Sequence, residues 1–599
     1  MKELESHLAV MIRNRIKLYG NKIALQEVGV KGVVNPATFT WSEFGEKIDQ
    51  VALSLLHLGV KPGEKVGIFS QNLPHWTIAD FGILSIRGVS VPIYATHTTS
   101  HAEYIINDAE IKVVFVGEQD QYDKLLPILH NNSNLQTVVV FDENVVTQGN
   151  THALTVQEFL ELGKKGNYKD ELNSRLDEAN AQDLATLIYT SGTTGDPKGV
   201  MLDHENFMFT LKIHDQKLNV NSTDISLAFL PLSHVFERTW TFYILHRGAQ
   251  NCYLRNPKEA LEGMKLCQPT LMCTVPRLLE KIYEGIQTKI AKAPTIQQQL
   301  FKWAMVIGEK VMQRKKQQMH VGFLLQTRYA IANKLIFSRL KNIFGGQIKF
   351  MPCAGSPLIQ QINEFFHSIG INIKYGYGLT ETTATVCAFD DTGFVFGSIG
   401  NVMPEIEVKI GKDNEILVKG KSVMKGYYKK PVETAEVFDG EWFKTGDAGD
   451  LDTDGNLYFR ERIKELIKTS VGKYISPQLV ESIISSDQFV DQIAVFGDNR
   501  KYVSALVVPS FDFLEDYAKN NGIDFRNKED LINHAGIVQF FKDKIEQLQN
   551  NLPTYERVRK FKLLSKNFSM EKNEITPTLK LKRKIIEQRY KDLIDNMYE

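Results

Sequence analysis

The 599-residue sequence is poor in cysteine, carries no net charge and has no long apolar run. Its five cysteines, Cys252, Cys267, Cys273, Cys353 and Cys387, form no CxxC pair and no His/Cys spacing suited to zinc. A disulfide scaffold and a zinc module are thereby excluded, and so few thiols read as a cytosolic chain with reduced, buried cysteines. Lys and Arg number 71, as do Asp and Glu, so no excess of positive charge marks a nucleic-acid partner. No stretch approaches the ~18 apolar residues of a membrane span. The first twenty residues carry early acids and no continuous apolar segment, which excludes a signal peptide and predicts an amphipathic helix. There is no GxSxG elbow, and His204-Glu205 lacks the second histidine of HExxH, so serine-hydrolase and zincin chemistry have no footing. Repeats and low-complexity tracts are also missing.

What remains is an ordinary globular composition, 43% apolar and 24% charged, in a chain too long for one core of ~250–300 residues. Apolar runs at 66–70, 89–94, 113–117, 186–190, 226–232, 271–275 and 348–353 alternate with helical stretches such as 75–87. That rhythm predicts a parallel α/β sheet. Residues 277–342 read as continuously helical. Residues 395–460 read as antiparallel β, with turn signals at 411–414 and 452–455. Beyond about 463 the pattern is α+β, with strands at 492–497 and 504–509 and a helical stretch over 527–551. The expectation is a large, multi-subdomain α/β N-terminal domain with a β-rich end, residues 1–460, and a smaller α+β C-terminal domain, residues 461–599.

Two segments carry the chemistry. Tyr189-Thr190-Ser191-Gly192-Thr193-Thr194-Gly195-Asp196-Pro197-Lys198-Gly199 follows an apolar strand. Its glycines and proline shape a loop, and its hydroxyls, backbone N–H groups and one ammonium suit phosphate oxygens. It is not a Walker A loop, because no GK[ST] closes it. A flexible polar turn is the plainer reading of such a stretch. The second segment is Lys374-Tyr375-Gly376-Tyr377-Gly378-Leu379-Thr380-Glu381. It offers aromatics beside glycines for a purine, a hydroxyl for phosphate, and in Glu381 a hard oxygen ligand for Mg2+.

Together these segments resemble the signature of the ANL superfamily of adenylating enzymes, and the resemblance spans essentially the whole chain. A Thr-Gly-Asp, an Arg-x-Lys and a C-terminal lysine follow in family order. Chain length, the LPLSHVFER segment and the basic helical insert resemble the long-chain fatty acyl-CoA synthetases most. The resemblance implies that Thr190, Ser191, Gly192, Thr193, Thr194 and Lys198 hold the ATP phosphates. Gly355, Ser356, Tyr375, Gly376 and Tyr377 would bracket the adenine. Thr380 would bind the α-phosphate and Glu381 the Mg2+. Asp447 and Arg462 would hold the ribose, with Lys468 within reach of AMP. Lys464 would be the hinge of a mobile C-terminal domain. Gly472 and Lys473 would face CoA, although Val471 stands where the family has a first glycine and Glu461 where it has one before the arginine. Lys580 would be the catalytic lysine, with Lys582 as fallback, since Leu579 replaces the usual glycine. In Leu230-Pro231-Leu232-Ser233-His234-Val235-Phe236-Glu237-Arg238, His234 would sit beside the acyl carboxylate, and Phe236 or Trp240 could gate an acyl tunnel.

The implied reaction is ATP-dependent formation of an acyl-AMP from a long-chain fatty acid, then of its CoA thioester, with Mg2+ bound. A medium-chain or aromatic acid, a carrier-protein acceptor, and a catalytically degenerate lipid-binding protein stay open as alternatives, and so does oligomerisation. Residues 302–349 hold ten Lys and Arg against one acid, Glu309, interleaved with apolar residues. Such a mix is a candidate for peripheral contact with the inner face of the membrane from the cytoplasm, or simply a solvated basic helical face.

Overall fold

The computed structural model describes residues 5–30, 33, 35–131, 134–147, 149–190, 196–463, 466–470, 473–576 and 581–599. The expected amphipathic helix forms at Leu8–Tyr19, and its Leu8, Ala9, Met11 and Ile12 are buried in the large core. No helix among the described residues is long and apolar enough to cross a membrane.

Eight strands make the main sheet, in the order Gly426–Tyr427, Lys198–Asp203, Leu184–Thr190, Val89–Tyr94, Lys65–Ser70, Val113–Val116, Thr137–Val140 and Ala153–Thr155. Pairing is parallel from Leu184–Thr190 outward and antiparallel at the other end. The strands are apolar on both faces because both faces are covered. Val66, Ile68, Val113 and Phe115 enter one core cluster, while Phe69, Val114 and Val116 enter another. This is the period-2 alternation of a strand.

A second sheet pairs Ile225–Ala228, Gln250–Tyr253, Ile23–Glu27 and Thr38–Thr40, and a third pairs Phe350–Cys353, Asn372–Tyr377, Cys387–Ala388 and Asn401–Val402. Two expected strands are corrected here. The run at 226–232 is a strand only to Ala228, because Asn72 takes over the backbone that follows: its side chain donates to the Ala228 and Leu230 carbonyls and accepts from the Leu232 amide. Residues 271–275 form no strand but join the two sheets by isolated bridges, Leu271 to Ser226 and Phe350 and Thr274 to Cys353. The stretch 277–342 is not one helix but Pro276–Ala291, Thr295–Lys316 and Phe323–Ala332, then a π turn at Asn333–Phe337. The β-rich end is a five-stranded antiparallel sheet that includes Trp442–Leu451 and Leu457–Arg462.

The chain then builds a separate core, from Ile467 to Met597, around the sheet of Val490–Phe496, Val503–Pro509 and Val558–Leu563. Arg277 of the large unit touches this one, donating to the Ser485 and Asp491 carbonyls at 3.2 and 3.4 Å. All five cysteines are free, and only Cys267 is not fully buried.

Candidate active site

The phosphate-loop candidate is the connection of a β-hairpin. Thr190 ends one strand and is paired with Lys198, which begins the next. Ser191, Gly192, Thr193 and Thr194 lie outside the described residues, so the structure places only their two flanks. The Lys198 ammonium stands 5.0 Å from the centre of the Tyr427 ring, on the strand beside its own. The Tyr427 hydroxyl donates to Glu381 Oε1 at 2.9 Å, and the Met424 amide donates to the Glu381 carbonyl at 2.8 Å. Lys198, Tyr427 and Glu381 thus form one row, with cation and carboxylate on either side of a phenol. Burial, together with the Glu381 charge, pushes the Tyr427 hydroxyl far above its ordinary range, so it stays a donor.

Glu381 sits in a short turn, Thr380–Thr382, that doubles back through Thr383 and Ala384 at φ of 50° and 78°. This turn explains the glycines of the motif. A Cβ on Gly378 would lie 1.9 Å from the Ala384 carbonyl oxygen, and one on Gly376 2.6 Å from that of Cys387. Both are needed because residues 384–388 cross directly over them. Tyr375 and Tyr377 share this strand but differ in use. Tyr375 is buried, and its hydroxyl accepts from the Leu358 amide at 3.1 Å and donates to the Ser356 carbonyl at 3.4 Å. It therefore fastens the turn of Gly355 and Ser356, in which Gly355 has φ of 99°, against the strand. The Tyr377 hydroxyl donates instead to Asp447 Oδ2 at 2.5 Å. Asp447, only 1% exposed, also meets Arg462 Nε at 3.2 Å from the paired strand. The two candidate ribose residues are so brought together with a candidate adenine residue.

His234 caps the helix Val235–His246, its Nδ1 accepting from the Phe236 amide at 3.2 Å. The next charged residues of that segment are structural. Glu237 is fully buried and accepts from the Leu230 amide at 3.2 Å, closing the loop that presents His234. Burial holds its carboxyl well above the usual carboxylate range, so it is neutral. Because the folded group keeps its proton to higher pH than the unfolded one, it contributes stability at low pH that is lost as pH rises through the raised folded value. An amide does not titrate. Glu237→Gln is therefore expected to gain melting temperature relative to the parent between about pH 5 and pH 8. An unchanged difference across that range would contradict the assignment.

Beside this helix lies a cavity walled by Leu218, Phe236, Trp240, Tyr243, Cys387 and Met403 and reaching Gly376 and Tyr377. Three of the polar side chains on its wall are engaged elsewhere. His214 bonds the Thr210 carbonyl at 2.7 Å and Thr385 Oγ1 at 3.2 Å, and burial lowers its pKa to about 4, leaving it neutral. Lys217 pairs with Asp390 at 3.1 Å and Lys374 with Asp391 at 2.6 Å. What the cavity offers a guest is mainly apolar.

In the smaller unit, the Lys468 amide donates to Asp498 at 3.1 Å, and Lys473 closes a tight turn onto Thr469. Lys464, Gly472 and Lys580 lie outside the described residues. Lys582, two positions after Lys580, bonds Asn573. Burial lowers the pKa of His97 and His101 of the large unit, and the Lys582 charge adds to the effect on both. The helix bearing His101 also carries Tyr104, whose hydroxyl donates to the Pro197 carbonyl at 3.1 Å, next to the phosphate-loop candidate. Sequence reasoning missed Asn72, Asp80 and Tyr427. Only the charged pair Glu237-Arg238 inside an apolar helix signalled a buried polar system.

The AMP-binding enzyme family matches residues 12–428, and the AMP-binding enzyme C-terminal domain matches residues 464–599. The chain is 31% identical to a protein named long chain acyl-CoA synthetase 2 of Arabidopsis thaliana, over 97% of this chain and 91% of that one. It is 29% identical to a long-chain-fatty-acid–CoA ligase of Mycobacterium bovis, over 93% and 92%. Among solved structures, the adenylation domain of a carboxylic acid reductase from Segniliparus rugosus, in complex with AMP and a co-purified carboxylic acid, superposes with a TM-score of 0.75. Identity there is 21%, covering 99% of this chain and 94% of that one. The anthranilate CoA ligase AuaEII in complex with anthranoyl-AMP gives 0.71 at 18% identity, over 99% and 98%. At these identities the structural likeness establishes the fold.

Proposed function

Since the chain belongs to the AMP-binding enzyme family, within the ANL superfamily of adenylate-forming enzymes, we propose that it activates a long-chain fatty acid as acyl-AMP and transfers the acyl group to CoA. One observation carries the reading: Gly376 and Tyr377 line the apolar cavity, while the Tyr377 hydroxyl reaches Asp447. A nucleotide held by Asp447 and Arg462 and an acyl chain held in the cavity would meet at residues 376–381.

A carboxylate is a poor acylating agent because oxide is a poor leaving group. In the first half-reaction a carboxylate oxygen bonds to the α-phosphorus of ATP and the bond to pyrophosphate breaks. Charge gathers on the phosphoryl oxygens, so the protein contributes positioning and fixed opposite charge. Lys198 and the 190–198 connection would hold the outgoing phosphates, with Thr380 on the α-phosphate. Mg2+ is held in such sites by one or two carboxylates plus substrate phosphates, and Glu381, fixed by Tyr427 beside Lys198, fits that need. When bound it neutralises phosphate charge. Lys580 would act as a further fixed cation. In the second half-reaction the CoA sulfur attacks the acyl carbonyl carbon and the bond to AMP breaks. A turn of the small unit about Lys464, withdrawing Lys580 and presenting Gly472 and Lys473, would serve both steps at one site.

The apolar wall of this cavity, which includes Leu218, suits an alkyl chain. Leu218→Trp should fill it. Acid-dependent ATP–pyrophosphate exchange is then expected to fall at least about tenfold for palmitate while octanoate is spared, since each methylene is worth about 1–3 kcal/mol in such a pocket. Equal losses for both acids would show that the chain does not occupy this cavity.

A further inference from the structure

One helix of the large unit touches both flanks of the phosphate-loop candidate. It spans Thr99–Asp108, and the Thr98 hydroxyl at its start accepts from the His101 amide. Ala102, Ile105, Ile106 and the following Ala109 are buried in one core cluster. His101, Tyr104 and Asp108 follow one another at spacings of three and four, so they share a face of their own.

Two side chains of this face hold the hairpin from either side. The Asp108 carboxylate accepts from the Tyr189 hydroxyl at 2.5 Å. Tyr189 directly precedes Thr190 and pairs with Gly199 on the returning strand. Its ring lies so close to Gly199 that a Cβ there would come within 3.1 Å of it. One turn back along the helix, the Tyr104 hydroxyl donates to the Pro197 carbonyl at 3.1 Å, just before Lys198. The Tyr104 and Tyr189 rings meet edge to face, their centres 6.4 Å apart. The Asp108 carbonyl also accepts from the Lys429 ammonium at 2.8 Å, two residues beyond Tyr427, the partner of Glu381. The end of this helix is thus fastened to the chain before the connection, to the chain after it, and to the segment that fixes Glu381.

The other end of the face meets the small unit. The His97 ring centre stands 5.3 Å from that of His101. Burial lowers the pKa of both, and the charge of Lys582 adds to the effect. Lys582 lies two positions after Lys580, the lysine that would serve adenylate formation, so this approach of the small unit belongs to the first half-reaction.

We propose that Asp108 and Tyr104 are positioning residues that hold the two flanks of the phosphate-loop connection where the β- and γ-phosphates of ATP bind. The inference rests on the adenylate-forming reading above. Asp108 acts through Tyr189, and Tyr104 through the Pro197 carbonyl. A binding segment fixed before its ligand arrives has less freedom to lose when the ligand binds. AMP lacks the two outer phosphates, so its affinity should not depend on these tethers. The thioester half-reaction begins after pyrophosphate has left and should not depend on them either.

The test compares the full-length parent with Tyr104→Phe, Asp108→Ala and Asp108→Asn. Tyr104→Phe and Asp108→Ala should each raise the Kd for ATP with Mg2+ about five- to tenfold, the effect of one lost hydrogen bond. The Kd for AMP should stay that of the parent. In ATP–pyrophosphate exchange with palmitate the KM for ATP should rise by the same factor, while preformed palmitoyl-AMP and CoA should give thioester at the parent's rate. Asp108→Asn keeps an oxygen that accepts from Tyr189 and should bind ATP within about threefold of the parent. Tyr104→Phe keeps its ring, so its melting temperature should match the parent's. Parent-like ATP binding by either Tyr104→Phe or Asp108→Ala overturns the proposal, as does equal weakening of ATP and AMP or an equal loss in both half-reactions. Asp108→Asn as weak as Asp108→Ala also contradicts it, since the effect would then lie in the charge and not in the Tyr189 bond. The binding comparison needs no acid. A parent that binds ATP but exchanges no pyrophosphate with palmitate therefore contradicts the proposed function, while the ATP-to-AMP comparison still decides this inference.

Discussion

Glu381→Gln is expected to slow acyl-adenylate formation by about 10²–10³, the loss typical of removing one preorganised charge-stabilising group. The substitution is chosen because the amide oxygen can still accept the Tyr427 hydrogen bond, now 2.9 Å long. The turn at Thr380–Thr382 is also fastened independently, by the Thr382 hydroxyl accepting from the Leu379 amide at 2.9 Å. Shape is kept and one negative charge is lost. If that charge holds Mg2+ against the phosphates, the exchange of pyrophosphate into ATP should fall, and raised Mg2+ should recover part of it. Melting temperature should stay that of the parent. A loss below about threefold with saturating Mg2+ would move the metal site elsewhere.

The second large effect concerns stability. Arg238 is 0% exposed and Asp80 1%. Arg238 donates to Asp80 from Nε at 3.0 Å and from Nη2 at 2.5 Å, and to Thr186 from Nη1 at 2.6 Å. Its guanidinium also lies 5.4 Å from the centres of both the Trp76 and Phe242 rings. One side chain therefore pins the helix Pro74–Ser85, the strand Leu184–Thr190 and the helix that His234 caps. Arg238→Met would leave the Asp80 carboxylate buried and uncompensated, at about 3–5 kcal/mol. Replacing both partners, Asp80→Leu with Arg238→Met, should recover most of the loss, because the penalty lies in the orphaned charge rather than in the missing pair. Urea unfolding of the parent, of Arg238→Met and of the double variant measures this. A single substitution as stable as the parent would show that water reaches the pair.

How much of this was legible beforehand differs from element to element. The strands at Lys65–Ser70, Val89–Tyr94 and Val113–Val116 were, because sheets covered on both faces need continuous apolar runs. The run at 226–232 reads as longer than the strand it forms because apolar content cannot register a side chain such as Asn72, which bonds the backbone after Ala228. Residues 271–275 look like a strand for the same reason, yet bridge two sheets in isolated pairs. The glycines at 376 and 378 suggested a close approach to a ligand, and the structure shows that the chain's own residues 384–388 make one. Tyr427, between a glycine and another tyrosine in a lysine-rich stretch, carries no local signal, since its role arises only where three distant segments meet. Arg238 was legible in principle, as a charge on an otherwise apolar helix must find a buried partner.

The central claim is an acyl-AMP resolved by CoA. The most direct measurement incubates the protein with ATP, Mg2+ and a series of saturated acids from acetate to stearate, with and without CoA, and follows pyrophosphate and thioester together. The account predicts pyrophosphate release that peaks at long chains and an equal amount of acyl-CoA whenever CoA is present. Pyrophosphate without thioester at any chain length would contradict the CoA half and point to another acceptor, such as a carrier protein. A peak at acetate, at medium chains or at an added aromatic acid would contradict the long-chain assignment, and no pyrophosphate with any acid would contradict the account altogether.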